Sequence, residues 1–219
     1  MQRSRKGVFM DWIKKAVAVF LLVGLAFCME QGKEQIQERD MQQEIADKVL
    51  RFHVRANSDS KEDQALKLRV RDAVGVLMKE KLKDAASLED CKRITGQELG
   101  EIVDKAEDVI RESGYTYAVE ASVSAVDFPD KTYGAYTFPA GRYDALEVVI
   151  GNGAGHNWWC VMYPNMCFAG STYEVVEEQA KEKLQRTLTN EEYQSLMEKK
   201  NYTIKCKYLT FLNKYMEKM

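Results

Sequence analysis

Histidine, proline and net charge are what this chain has least of. Its 219 residues hold two histidines and three prolines, and the formal net charge is −2. A near-neutral balance offers no basic face for phosphates, which argues against a nucleic-acid binder. Zinc-finger and ribonucleoprotein motifs are absent, as are internal repeats, low-complexity tracts and proline-rich linkers. Long apolar runs are missing too: the longest, Ala16 to Met29, has about 14 residues, short for a full membrane span. With two imidazoles in hand, a hydrolytic zinc site requires His53, His156 and a carboxylate or Cys to converge. The expectation is therefore a protein with no metal, no cofactor, no small-molecule substrate and no nucleic-acid partner. A composition 45% hydrophobic and 30% charged gives one ordinary globular domain with tails.

The apolar run comes after Arg3, Arg5, Lys6, Lys14 and Lys15. A basic region ahead of a short apolar stretch is the pattern of a secretory signal. Ala26 and Cys28 are small residues suited to a cleavage point, whereas Leu25-Ala26-Phe27-Cys28 is only lipobox-like because Phe27 is large. Residues 1–29 are expected to be a signal peptide or signal anchor, with 13–29 as the part held in a membrane. The flanking positive charge would leave residues 30–219 on the outer face. Residues 30–48 read as a polar helical linker and 49–219 as a single exported domain.

Val49 to Ala56 alternates, with Leu50, Phe52 and Val54 on one face and Arg51, His53 and Arg55 on the other. That predicts a half-buried strand whose second face meets solvent. Asn57 to Ser60 reads as a turn and helix cap, with Glu62 and Asp63 at the positive end of a helix running to about Leu82. Ser87 to Thr95 predicts a short helical connector. A 3.6-residue stripe from Leu99 to Ile110, closed by Gly114, predicts a second long helix. Tyr117 to Ala125 alternates as a strand, and Asp127 to Gly141 reads as a long hairpin connection. Tyr143 to Ile150 is apolar on nearly both faces and belongs in the centre of a sheet. Helices are expected over 173–187 and 191–199, and helical spacing continues from 201. The fold class is α+β: a small antiparallel sheet of about four strands packed by helices, behind a hydrophobic export segment.

The densest chemistry lies in Gly151 to Phe168 (GNGAGHNWWCVMYPNMCF). Gly151, Gly153 and Gly155 specify a tight structural loop. They are no phosphate cradle, because an extended aromatic segment and no helix start comes after them. Trp158 and Trp159 point to opposite faces of that segment, so one belongs to the core and the other to a surface patch. Outside the cytoplasm, Cys160 and Cys167 are a candidate disulfide, their spacing being wrong for common zinc knuckles. Cys91 and Cys206 read as small buried hydrophobes. A Cys160–His156 nucleophile is the rival reading, and oxidation of the thiol counts against it. His156 is expected to anchor the loop by a hydrogen bond.

Two stretches together resemble the signature blocks of the stage II sporulation protein R family. They are RFHVRANSDSKEDQALKLRVRDAV (Arg51 to Val74) and FPAGRYDALEVVIGNGAGHNWWCVMYPNMCF (Phe138 to Phe168). In the first block the candidate residues are Arg51, His53, Asn57, Asp59, Asp63 and Gln64; Arg55 departs from the aliphatic residue expected there. The resemblance implies a secreted signal of endospore formation in Firmicutes, not an enzyme. It implies export from the forespore into the space between the two membranes. There the protein would activate the mother cell's membrane-embedded aspartic protease, which processes the sigma-E precursor. His156, Asn157, Trp158, Trp159 and Tyr163 are the candidate partner-binding residues. The alternative is an exported thiol- or zinc-dependent cell-wall hydrolase.

Overall fold

A computed structural model describes residues 3–164, 166 and 178–197 of the chain. Helix α1 (Arg3–Ala46) is unbroken and leaves Val17, Phe20, Leu22, Leu25 and Phe27 exposed. Among the described residues no helix is long and apolar enough to cross a membrane. The C-terminal end of α1 enters the core through Ile45 and Ala46, with Met41 packed against it.

Four strands make the main sheet: β1 (Leu50–Arg55), β2 (Val119–Phe128), β5 (Gly141–Ile150) and β6 (Asn157–Tyr163), in the order β2-β5-β1-β6. The sheet is mixed rather than antiparallel. β1 and β5 run parallel, while β2–β5 and β1–β6 are antiparallel. The reason is the connection. A parallel pair needs a long crossover, which here consists of three helices, an outer strand and a small hairpin, and alternation within a strand carries no direction. β5 is central, as its two apolar faces require.

The crossover helices α2 (Lys61–Lys81), α3 (Leu88–Gln97) and α4 (Leu99–Glu112) cover one face of the sheet. Ser60 and Ser87 cap the first two, each accepting a backbone N–H three residues on; such caps are worth about 1 kcal/mol each. Leu66, Val70, Val74 and Met78 of α2 and Ile102, Ala106 and Ile110 of α4 are buried there with Phe52, Val54, Leu146 and Val148. Each fully buried large side chain in this layer contributes roughly 1.5–3 kcal/mol. Gly114 ends the α4 segment at φ +85°, a conformation that favours glycine.

The other face is not solvated as the alternation predicts. Arg51 and His53 are fully buried. The Asp127–Gly141 connection holds a small hairpin, β3 (Lys131–Tyr133) and β4 (Tyr136–Phe138), that folds over them. The Arg51 guanidinium carbon lies 4.3 Å from the Phe128 ring, 4.8 Å from Tyr143 and 5.4 Å from Phe138. Its Nε donates to the Cys160 carbonyl at 3.1 Å and its Nη2 to the Tyr133 hydroxyl at 3.2 Å. Burial lowers its pKa, against the pull of both tyrosines. Aromatic faces and carbonyls replace the water and the carboxylate that a surface arginine would use.

Helices α5 (Glu178–Thr187) and α6 (Asn190–Met197) complete the described chain. Lys48 and Glu192 pair at 2.5 Å, and the Tyr136 and Tyr193 hydroxyls bond at 2.7 Å, tying α6 to β1 and the hairpin. The helical readings at 173–177 and from 198 onward, and Cys167 and Cys206, lie outside the described residues.

Candidate functional site

β5 and β1 run the same way with β6 on the far side of β1, so the β5–β6 loop must cross the end of β1. That crossing brings the two sequence blocks together. Asn57 is the hub: its Oδ1 accepts from the Asn152 N–H at 3.0 Å, and its backbone carbonyl from Ala154 at 3.1 Å. The Ala56 carbonyl accepts from Gly155 at 2.9 Å, and Asp59 Oδ1 from His156 N–H at 2.6 Å. His156 Nδ1 contacts the same carboxylate oxygen, and Lys67 Nζ donates to the His156 carbonyl at 3.0 Å.

The glycines are what the crossing needs. Gly151 and Gly153 sit at φ +56° and +59°. A Cβ on Gly155 would overlap the Ser58 backbone carbonyl, and one on Gly151 would overlap the Asn57 side chain. Below the loop, Asp63 accepts from Asn57 Nδ2 at 2.8 Å and from Ser58 Oγ at 2.5 Å, which lowers its pKa. The His156 side chain, then its backbone N–H, likewise lowers that of Asp59. Gln64 Nε2 donates to the Ser58 carbonyl at 3.0 Å and its Oε1 accepts from Lys67 at 2.5 Å. The candidate residues of the first block that lie beyond β1 therefore hold the loop of the second.

Trp158 and Trp159 do face opposite ways. Trp158 is buried on the helix side, edge-on to Phe52 at 5.5 Å and under the Arg71 guanidinium at 5.1 Å. Trp159 is half-buried on the other face, stacked flat on His53 with centroids 5.0 Å apart and meeting Phe128 edge-on at 4.6 Å. Among the described residues neither His53 nitrogen makes a hydrogen bond, and a carboxylate oxygen of Glu147 lies 3.6 Å away. Desolvation first, then Arg55 and Arg51, push its pKa from 6.5 down to about 4. Glu147 is engaged by Arg55 at 2.9 Å, so the unexpected Arg55 closes the row His53–Glu147 at the rim of the sheet.

The structure places His156 on the exposed loop and Asn157 and Trp159 beside it, half-buried. Tyr163 is buried at the opposite end of β6 under Lys183, roughly 20 Å of strand away from the loop. Cys160 is buried on β6 and faces the helix layer, while the His156 side chain is exposed on the loop. Cys91 is buried and free, its thiol pushed up to about 11 by desolvation. Among the described residues no three His, Cys, Asp or Glu side chains stand close enough to hold a metal ion. The histidines also differ in kind: His53 is shut between rings, and His156 is 82% exposed.

Lys67, Phe128 and Glu147 belong to the site but do not declare themselves from motif spacing. Lys67 lies one turn after Asp63 on the inward face of α2, which is the signal that could have found it. Phe128 and Glu147 join through strand register alone.

A family model described as stage II sporulation protein R matches residues 46–173, a span that contains the whole loop crossing. The stage II sporulation protein R of Bacillus subtilis (strain 168) is 36% identical over 165 residues, covering 74% of this chain and 74% of that protein. No solved structure matches. On these two matches the chain belongs to the stage II sporulation protein R family.

Proposed function

We propose that this chain is a sporulation signal that acts by contact, not by catalysis. It is exported from the forespore into the intermembrane space, where it activates the mother cell's membrane-embedded aspartic protease that processes the sigma-E precursor. Family membership supports the sporulation role. The observation that carries the contact surface is the locked crossing loop, which sets exposed His156 beside half-buried Trp159 on a rigid base. A surface ordered before docking loses little entropy on binding, and an aromatic ringed by polar groups is the usual anchor. A Cys160–Cys167 disulfide would stiffen the foot of the same strand. The protease responds because docking favours its active form, by no more than the difference in affinity between its two states. The apolar side chains exposed on α1 behind a basic start supply the export signal or anchor.

The test is precursor processing in sporulating cells carrying Trp159→Ala or His156→Ala, with export and urea stability of each variant measured alongside. The expected result is processing reduced at least about tenfold in chains that remain folded and exported. Normal processing by a folded Trp159→Ala chain removes this knuckle, the crossing loop with His156 and Trp159, as the contact surface. Adding the purified chain to cells that hold only the protease and the precursor distinguishes signalling from an upstream role.

A further inference from the structure

Strand β2 is the edge opposite β6, and among the described residues it pairs with β5 alone. That pairing runs without a break from Val119 to Phe128. In an antiparallel ladder, residues alternate between turning their backbone groups toward the neighbour and away from it. The Gly151 N–H on the Ala118 carbonyl, 2.9 Å, fixes the phase. Even-numbered residues of β2 exchange bonds with β5, so Ala121, Val123, Ala125 and Asp127 direct their N–H and C=O groups off the sheet.

Exposed edges are normally blunted by lysine, proline, a bulge or shortness. Between Val119 and Phe128 there is no lysine, no proline and no register shift over the strand's 10 residues. The side chains leave an approach open: Ser122, Ser124 and Ala125 are small and exposed. The charge along the edge has one sign. Glu120 and Asp127 on β2, with Asp104 and Glu107 on the α4 helix outside its Glu101–Lys81 pair, make no ion pair among the described residues, and Arg142 stands across the ladder from Asp127. α4 sets only Lys105 and Arg111 against them, and Arg111 is already paired with Asp108.

We propose that the β2 edge docks an extended, lysine- or arginine-bearing segment of a partner protein, which adds as a fifth strand. Main-chain bonds to Ala121, Val123, Ala125 and Asp127 hold it, and its basic side chains meet Glu120, Asp127 and the acidic flank of α4. A second copy fits worse, since antiparallel self-pairing crowds two Glu120 and two Asp127 carboxylates into one short ladder. The Ala121–Ala125 part of the edge lies two strands away from β6, and β2 meets Trp159 only through Phe128 at its far end.

The probe is a synthetic peptide of alternating lysine and valine, titrated into the full-length labelled chain and followed by backbone amide NMR, with a glutamate–valine peptide as control. The expected result is shifts and exchange protection at Ala121, Val123, Ala125 and Asp127, with binding lost as salt rises from roughly 0.05 to 0.3 M. Val123→Pro removes an outward N–H without touching the β5 ladder and should weaken binding about tenfold. Glu120→Lys with Asp127→Lys should do the same through charge alone, so the idea survives a misfolded proline variant. Four results overturn it: no binding near about 1 mM peptide, equal binding by the glutamate peptide, outward amides already protected in the free chain, or a dimer that Val123→Pro dissolves.

Discussion

Acidification should loosen this fold through one buried imidazole before its carboxylates titrate. His53 is fully buried between Trp159 and Phe128, makes no hydrogen bond among the described residues, and is held neutral by desolvation and by Arg55 and Arg51. Its pKa is about 4 in the folded chain against 6.5 when unfolded. Between those values the unfolded chain binds the extra proton, so stability is complete above pH about 6.5 and falls with falling pH toward pH about 4. At about 1.4 kcal/mol per unit, the full loss is roughly 3 kcal/mol, with about 2 kcal/mol of it gone by pH about 5. The other groups that face the ring temper but do not remove this. Glu147 is the carboxylate beside it among the described residues, and Arg55 already holds it. The assay is urea unfolding followed by tryptophan fluorescence at a series of pH values, for the natural chain and for His53→Phe, which keeps a ring in the stack. The difference between the two curves should rise steadily below pH about 6.5. Parallel curves down to pH about 5 would refute the reasoning.

Two further outcomes test the packing. Gly155→Ala places a methyl group into the Ser58 carbonyl and should cost about 2 kcal/mol or more, whereas Gly96→Ala on the open side of α3, where nothing lies within 4 Å, should gain up to about 1 kcal/mol in the same unfolding assay. Arg51→Ala should cost about 3 kcal/mol by emptying the aromatic box. Arg51→Met should stay within about 1 kcal/mol of the natural chain, because among the described residues the buried charge has no carboxylate partner and one nitrogen, Nη1, makes no hydrogen bond.

The sequence was most legible where one periodicity had one cause. The α2 and α4 stripes, the Ser60 cap, the Gly114 stop and the central position of Tyr143–Ile150 all come from spacing and turn chemistry. The face of β1 was misread for a physical reason. Arginine and histidine at Arg51 and His53 predict solvent, unless a distant element supplies aromatic rings in place of water. That element is the 131–138 hairpin, whose docking no local pattern announces. Strand direction was invisible for a related reason, since residues alternate identically in parallel and antiparallel partners. The loop crossing was half legible. Glycines at Gly151, Gly153 and Gly155 marked a constrained turn, but not that Asn57 and Asp59 were what it turned against.

The pairing of Asn57 and Asp59 with that turn has a measurable consequence. If the blocks form one unit, the residues that bolt the first to the second should act together rather than as a sum. Asn57 spends its amide N–H on Asp63 and its oxygen on Asn152, so Asn57→Ala loses both, while Asp63→Ala loses the Asn57 and Ser58 bonds. Each single change should cost about 1–3 kcal/mol, since each takes a bond from two partner groups. The double variant should fall short of the sum by about 1 kcal/mol or more, since the Asn57–Asp63 bond is then counted once. The matching residue-level readout is the Asn152 amide, which should lose exchange protection in Asn57→Ala and keep most of it in Asp63→Ala. Additive costs, or an Asn152 amide indifferent to Asn57, would mean that the loop holds its shape by its glycines alone. The first block would then be a neighbour of the knuckle and not its mount.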